Sequence, residues 1–131
     1  KIMGEWLASR GNREQVLIAT KVAKFSQVKG LAPDTIRSAV DGSLARLQTD
    51  YIDLYYAHED DSSTPLADTL QTFASLIAKG KVRHIVASQY SAPRLAEALR
   101  VARQEARTKL LESQREKLDK LRQRGRERRT T

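Results

Sequence analysis

Three short runs of apolar and β-branched residues, separated by stretches of helical periodicity, constrain this chain more than any other feature. VLIATKV (16–22) is continuous and apolar, the pattern of a strand buried on both faces. YIDLYYAH (51–58) and VRHIVAS (82–88) repeat that character. Between the first two runs, Ala32-Pro33-Asp34 opens a helix whose apolar positions Ile36, Val40, Leu44 and Leu47 recur every three or four residues and which closes near Gln48. Between the second and third, the polar loop EDDSST leads through Pro65 into a helix with Leu66, Leu70, Phe73, Leu76 and Ile77 on one side and Gly80 as its cap. Strands alternating with helices of this length imply right-handed crossovers and a parallel sheet.

The flanks are helical too. Ile2, Met3, Trp6 and Leu7 share one face of a short helix that Gly11-Asn12 ends. After the third strand, Ser91-Ala92-Pro93 is an N-cap and first-turn signal. The helix it opens meets no stop before Gly125, a rod of roughly 50 Å if continuous. Leu95, Leu99, Ala102, Ala106 and Leu110 form its narrow apolar stripe, and beyond them only Leu111, Leu118 and Leu121 stand among charged residues. The last stretch, RQRGRERRTT, has the composition of a disordered segment.

Charge divides the chain in the same place. Of the net +8, residues 103–131 contribute +6, so the basicity belongs to a tail and not to the strand-bearing part. That tail carries no aromatic residue for base stacking, and a mixed-sign helix with charges three and four apart is usually solvated; neither feature favours a nucleic-acid partner. There is no cysteine, hence no disulfide and no thiolate metal site. No apolar run approaches a membrane span and no apolar leader precedes the first helix; a soluble, cytoplasmic chain is the expectation. Glu59-Asp60-Asp61 beside His58 invites a metal reading, but three consecutive loop carboxylates without a second cluster more often cap or solvate, so no metal is expected. His84 is expected to be structural.

The order and spacing of GEWL, VLIATKV, SLARLQTDYIDLYYAHEDD and GKVRHIVASQYS resemble the middle of aldo-keto reductases over roughly residues 2–103. The string SLxRLxTDYIDLYxxH is a specific signature of that family. The resemblance implies a partial TIM-type α/β barrel, three parallel strands with flanking helices equivalent to the third to fifth barrel strands, followed by the charged helix and tail of 104–131. It implies NADPH as cofactor and a small carbonyl compound as substrate. Lys21 matches the family lysine that lowers the pKa of a catalytic tyrosine, and His58 the histidine that orients and polarises the substrate oxygen. Ser88-Gln89 stands where the family has a Ser-Asn pair that binds the nicotinamide amide. The family's tyrosine and aspartate would lie upstream of Gly4; none of Tyr51, Tyr55, Tyr56 and Tyr90 matches the tyrosine motif. Counterparts of the phosphate-gripping loops are missing, so weak or no NADPH binding is expected.

A three-stranded piece of barrel leaves two strand edges and an inward face uncovered. The long last helix folded over that face, or a second copy in a homodimer, would cover it. Three function classes stay open: a carbonyl reductase completed by other segments, a non-catalytic relic serving as an interaction or assembly module, and weak nucleic-acid binding through the basic tail.

Overall fold

The computed structural model describes residues 2–25 and 28–127. Helix α1 (Ile2–Arg10) is followed by a single 3-10 turn (Arg13–Gln15) and strand β1 (Ala19–Val22). Two short strands, β2 (Lys24–Phe25) and β3 (Val28–Lys29), pair antiparallel before helix α2 (Pro33–Leu47). Strand β4 (Ile52–Ala57), helix α3 (Leu66–Ala78), strand β5 (Val82–Ala87) and helix α4 (Ala92–Glu127) complete the chain. The main sheet is parallel throughout, ordered β1-β4-β5, so order in space follows order in sequence.

Each crossover helix covers one face of this sheet. Ile36 and Val40 of α2, and Phe73 and Leu76 of α3, are buried against Val22, Tyr55 and Ala57. The Phe73 ring meets the fully buried Tyr55 ring edge to face at 6.1 Å. Alternation along the strands puts Ala19, Lys21, Leu54, Tyr56, His84 and Val86 on the opposite face, where each is exposed or half-buried. His84, expected to be structural, is exposed there.

Several boundaries differ from the sequence pattern. Val16 and Leu17 precede pairing, and Leu17 is 81% exposed; β1 starts only at Ala19. Of the apolar face expected on α1, only Leu7 is buried, joined by Gly4, whose missing Cβ would collide with the Arg46 carbonyl and the Leu47 backbone. A side chain at position 4 would therefore separate α1 from the end of α2. Gln48 ends α2 in the left-handed conformation, φ +53°. Strands β2 and β3 add a short antiparallel pair between the first strand run and α2.

Helix α4 does not fold back over the open face: its body contacts run along α3 on the helical layer. Ser91 caps it as the sequence predicts, its Oγ accepting from the Arg94 amide at 3.3 Å. The helix passes position 103 without a break and includes residues 122–127, so the stretch expected to be disordered is helical that far; 128–131 fall outside the described residues.

The Tyr55 hydroxyl is buried and has no hydrogen-bond partner among the described residues. Burial raises its pKa, since the phenolate would be more costly still there. An unpaired buried hydroxyl costs about 1–3 kcal/mol. Tyr55→Phe is therefore expected to leave Tm unchanged or raise it, and a fall of several degrees in a thermal melt would show that the hydroxyl is bonded after all.

Candidate strand-end site

Parallel strands all point their carboxyl ends the same way, and the residues singled out by sequence collect at that end. Lys21 lies within β1, directly across from Tyr56. His58 is the first residue past β4; its amide donates to the Val22 carbonyl at 3.0 Å, which extends the ladder. Ser88 is the first past β5, its amide donating to the Ala57 carbonyl at 3.0 Å. Gln89 follows in the left-handed region at φ +55°, exposed. The sheet thus brings Lys21, His58 and Ser88-Gln89 to one rim on three adjacent strands, about 4.8 Å apart from strand to strand. Lys21 sits two residues below the level of His58, about 6–7 Å along the strand.

Tyr56 was set aside on motif grounds, yet it shares the open face with Lys21, whose Nζ lies 5.9 Å from the centre of its ring. Period-two counting back from His58, together with the parallel register, is the signal that finds it.

The acidic loop after β4 is structural. One oxygen of Asp61 accepts from the Leu31 amide at 2.8 Å and the Thr64 hydroxyl at 2.7 Å; the other accepts from the amide and hydroxyl of Ser63. The Leu31 amide and Ser63 hydroxyl lead in holding the Asp61 carboxyl well below its usual range, and partial burial opposes them. Gly30, at φ +88°, passes so close that a Cβ would stand 2.8 Å from Asp61 Oδ2. Asp60 accepts from Arg94 Nε at 3.0 Å, and Arg94 Nη1 also reaches Glu97 at 3.1 Å. The hydrogen bond to Asp60 is the main cause raising the Arg94 pKa. Among the described residues no group of three His, Asp or Glu is placed to hold a metal ion.

These contacts bear on cofactor fit. Ser88 and Gln89 present amide and hydroxyl groups suited to a carboxamide such as that of nicotinamide. Arg94, five residues on from Gln89, is paired with two carboxylates.

The opposite end of the sheet holds an ion-pair cluster that sequence reading missed. Asp53, 4% exposed, accepts from Arg13 Nη2 at 2.8 Å and the Ile18 amide at 2.9 Å. Arg13 also donates to the Val16 and Tyr51 carbonyls and to the Thr49 hydroxyl, each at 2.8 Å, and lies 3.7 Å over the Tyr51 ring. Arg83 approaches Asp53 at 3.8 Å and the other side of the cluster at Tyr51. An aspartate between the apolar Ile52 and Leu54 of a buried strand was the available sign.

The profile described as the aldo/keto reductase family matches residues 1–125, further along the chain than the motifs alone carry the resemblance. Norsolorinic acid reductase stcV of Emericella nidulans is 41% identical over 95 residues, covering 65% of this chain and 24% of that protein. The uncharacterised oxidoreductase YrpG of Bacillus subtilis is 37% identical over 106 residues, 74% of this chain and 32% of its own. Protein tas of Escherichia coli is 36% identical over 115 residues, 69% of this chain and 33% of its own. The chain spans about a quarter to a third of the length of these relatives.

Proposed function

Because the chain belongs to the aldo/keto reductase family, we propose that it supplies the lysine and histidine of an NADPH-dependent carbonyl-reducing site and does not turn over on its own. The observation that carries this reading is the convergence of Lys21, His58 and Ser88-Gln89 on the carboxyl ends of one parallel sheet, the end where barrel folds keep their chemistry. Reduction is also the activity named for the norsolorinic acid reductase of Emericella nidulans.

A reduced nicotinamide held there would supply hydride to the carbonyl carbon. Negative charge then grows on oxygen, and His58 at the rim is the group to donate a hydrogen bond to it. Lys21 adds positive charge beneath, which favours proton release by a neighbouring phenol. Ser88 and Gln89 would hold the carboxamide. The open sheet face must be covered in the working molecule, and two-fold pairing of copies is the symmetric way to do so.

Transplanting residues 2–103 into the matching segment of an active full-length family reductase tests the reading. The chimera is expected to keep NADPH-dependent aldehyde reduction and to lose about 10²–10⁴-fold of kcat with Lys21→Met or His58→Ala. A folded chimera whose activity is indifferent to both substitutions overturns it.

A further inference from the structure

From Leu110 to Arg124 every residue of α4 is exposed, so among the described residues nothing covers this part of the helix. Yet it carries Leu110, Leu111, Leu118 and Leu121, each 50–63% exposed. At 100° per residue, Leu111 and Leu118 fall in line and Leu110 and Leu121 lie to one side, a strip about 100° wide. In heptad terms Leu111 and Leu118 take position a, and Gln114 and Leu121 position d.

The charges around this strip are sorted. Positions e and g, which border it, are Arg115 and Arg122 on one side and Lys117 and Arg124 on the other. The acidic residues Glu112, Glu116 and Asp119 occupy b and f, behind it. Arg122 does reach Asp119 at 3.7 Å, but both side chains are largely exposed and such a pair holds the arginine only weakly.

We infer that the leucine strip of α4, bordered by Arg115, Lys117, Arg122 and Arg124, docks an amphipathic helix of another protein that carries acidic residues along the edges of its own apolar strip. A second copy of this helix fits badly: parallel pairing sets Lys117 against Arg122 of the copy, and antiparallel pairing sets e against e and g against g, basic in every case. A lipid surface fits less well than a helix. Gln114 interrupts a strip only two side chains wide, a break that a paired helix meets with a polar residue of its own, and no aromatic residue follows Tyr90 to anchor an interface. The inference is independent of whether the chain takes part in reduction.

The test uses the whole chain and a labelled peptide of about three heptads with leucine at a and d and glutamate at e and g; a second peptide has lysine at e and g. Fluorescence anisotropy is expected to show saturable binding of the glutamate peptide, weakened by salt, and at least about tenfold tighter than the lysine peptide. Leu118→Gln with Leu121→Gln should abolish it. Reversing Arg115, Lys117, Arg122 and Arg124 to Glu should switch the preference to the lysine peptide, with circular dichroism confirming that α4 persists. Absence of binding, equal binding of both peptides, or binding only to phosphatidylserine vesicles or to single-stranded RNA overturns the inference. So does a dimer by sedimentation that the leucine variants dissolve.

Discussion

Given NADPH and a panel of reactive aldehydes, the purified chain is expected to reduce them at a rate near background. Loss of general acid catalysis alone costs about 10²–10⁴-fold. The rim described here offers His58 to polarise the carbonyl oxygen, but that side chain would then have to serve as acid as well. Cofactor retention should be poor for a separate reason. Most dinucleotide affinity comes from phosphate contacts at helix N-termini and cationic side chains. The start of α4 instead carries Arg94 tied to Asp60 and Glu97. Fluorescence titration is expected to show no saturation by NADPH in the micromolar range. Tyr56 makes the assay sharper, because it is a phenol beside Lys21. Turnover above background that disappears in both His58→Ala and Tyr56→Phe would show that the open face assembles a working site unaided. It would overturn the proposal that other segments are needed.

Asp53→Ala is expected to cost about 3–5 kcal/mol, because it leaves the Arg13 guanidinium with little solvent and no counter-charge. That is comparable to the whole stability of a small domain, so the variant should be largely unfolded or melt far earlier than the parent. Replacing Arg13 and Asp53 together with apolar residues should recover part of the loss, and urea titration of the set measures the coupling. A single-variant effect below about 1 kcal/mol would mean that the cluster is ornamental. The same carboxylate gives the pH dependence. Burial pushes the Asp53 carboxyl up, but the Ile18 amide, Arg13 and Arg83 outweigh it and hold it below its usual value. Asp61 is likewise held low. Groups more acidic in the folded than in the unfolded chain stabilise fully above the unfolded carboxylate value, about pH 4, and lose that contribution as pH falls through their folded values. Stability should be flat from neutral pH to about pH 5 and drop steeply below about pH 4, less steeply in Asp53→Asn.

Strands and crossover helices were legible because burial on both faces forces continuous apolar runs, and a single buried stripe forces a helical repeat. His58 and Ser88 close their apolar runs, so once the strands are parallel they stand at one end of the sheet, with Lys21 one residue short of the end of its own strand. The Arg13–Asp53 cluster was not legible, since a lone charge in sequence looks solvated and its partner lies 40 residues away. Leu17 misled in the opposite direction. Apolar character lengthened the first strand to Val16, while the Arg13–Gln15 turn and the Asp53 bond to the Ile18 amide delay its pairing. The helicity of 122–127 escaped notice because composition reports how much apolar surface a segment can bury, whereas a long helix already nucleated at Ser91 can propagate through residues of good intrinsic propensity.

The agreement between sequence order and spatial order in the β1-β4-β5 sheet has a consequence for how the chain acquires its shape during synthesis. Each strand adds to the one made before it, and the helices that pack on the sheet are its immediate neighbours in sequence, so no segment has to wait for a distant one. A growing chain can lay down β1 with α2, then β4 with α3, then β5, from the amino end as each emerges. At every stage the newest strand presents one outer edge to whatever follows it. The emerging polypeptide is thus its own template, and the outer edges of β1 and β5 are the places where further strands would be received.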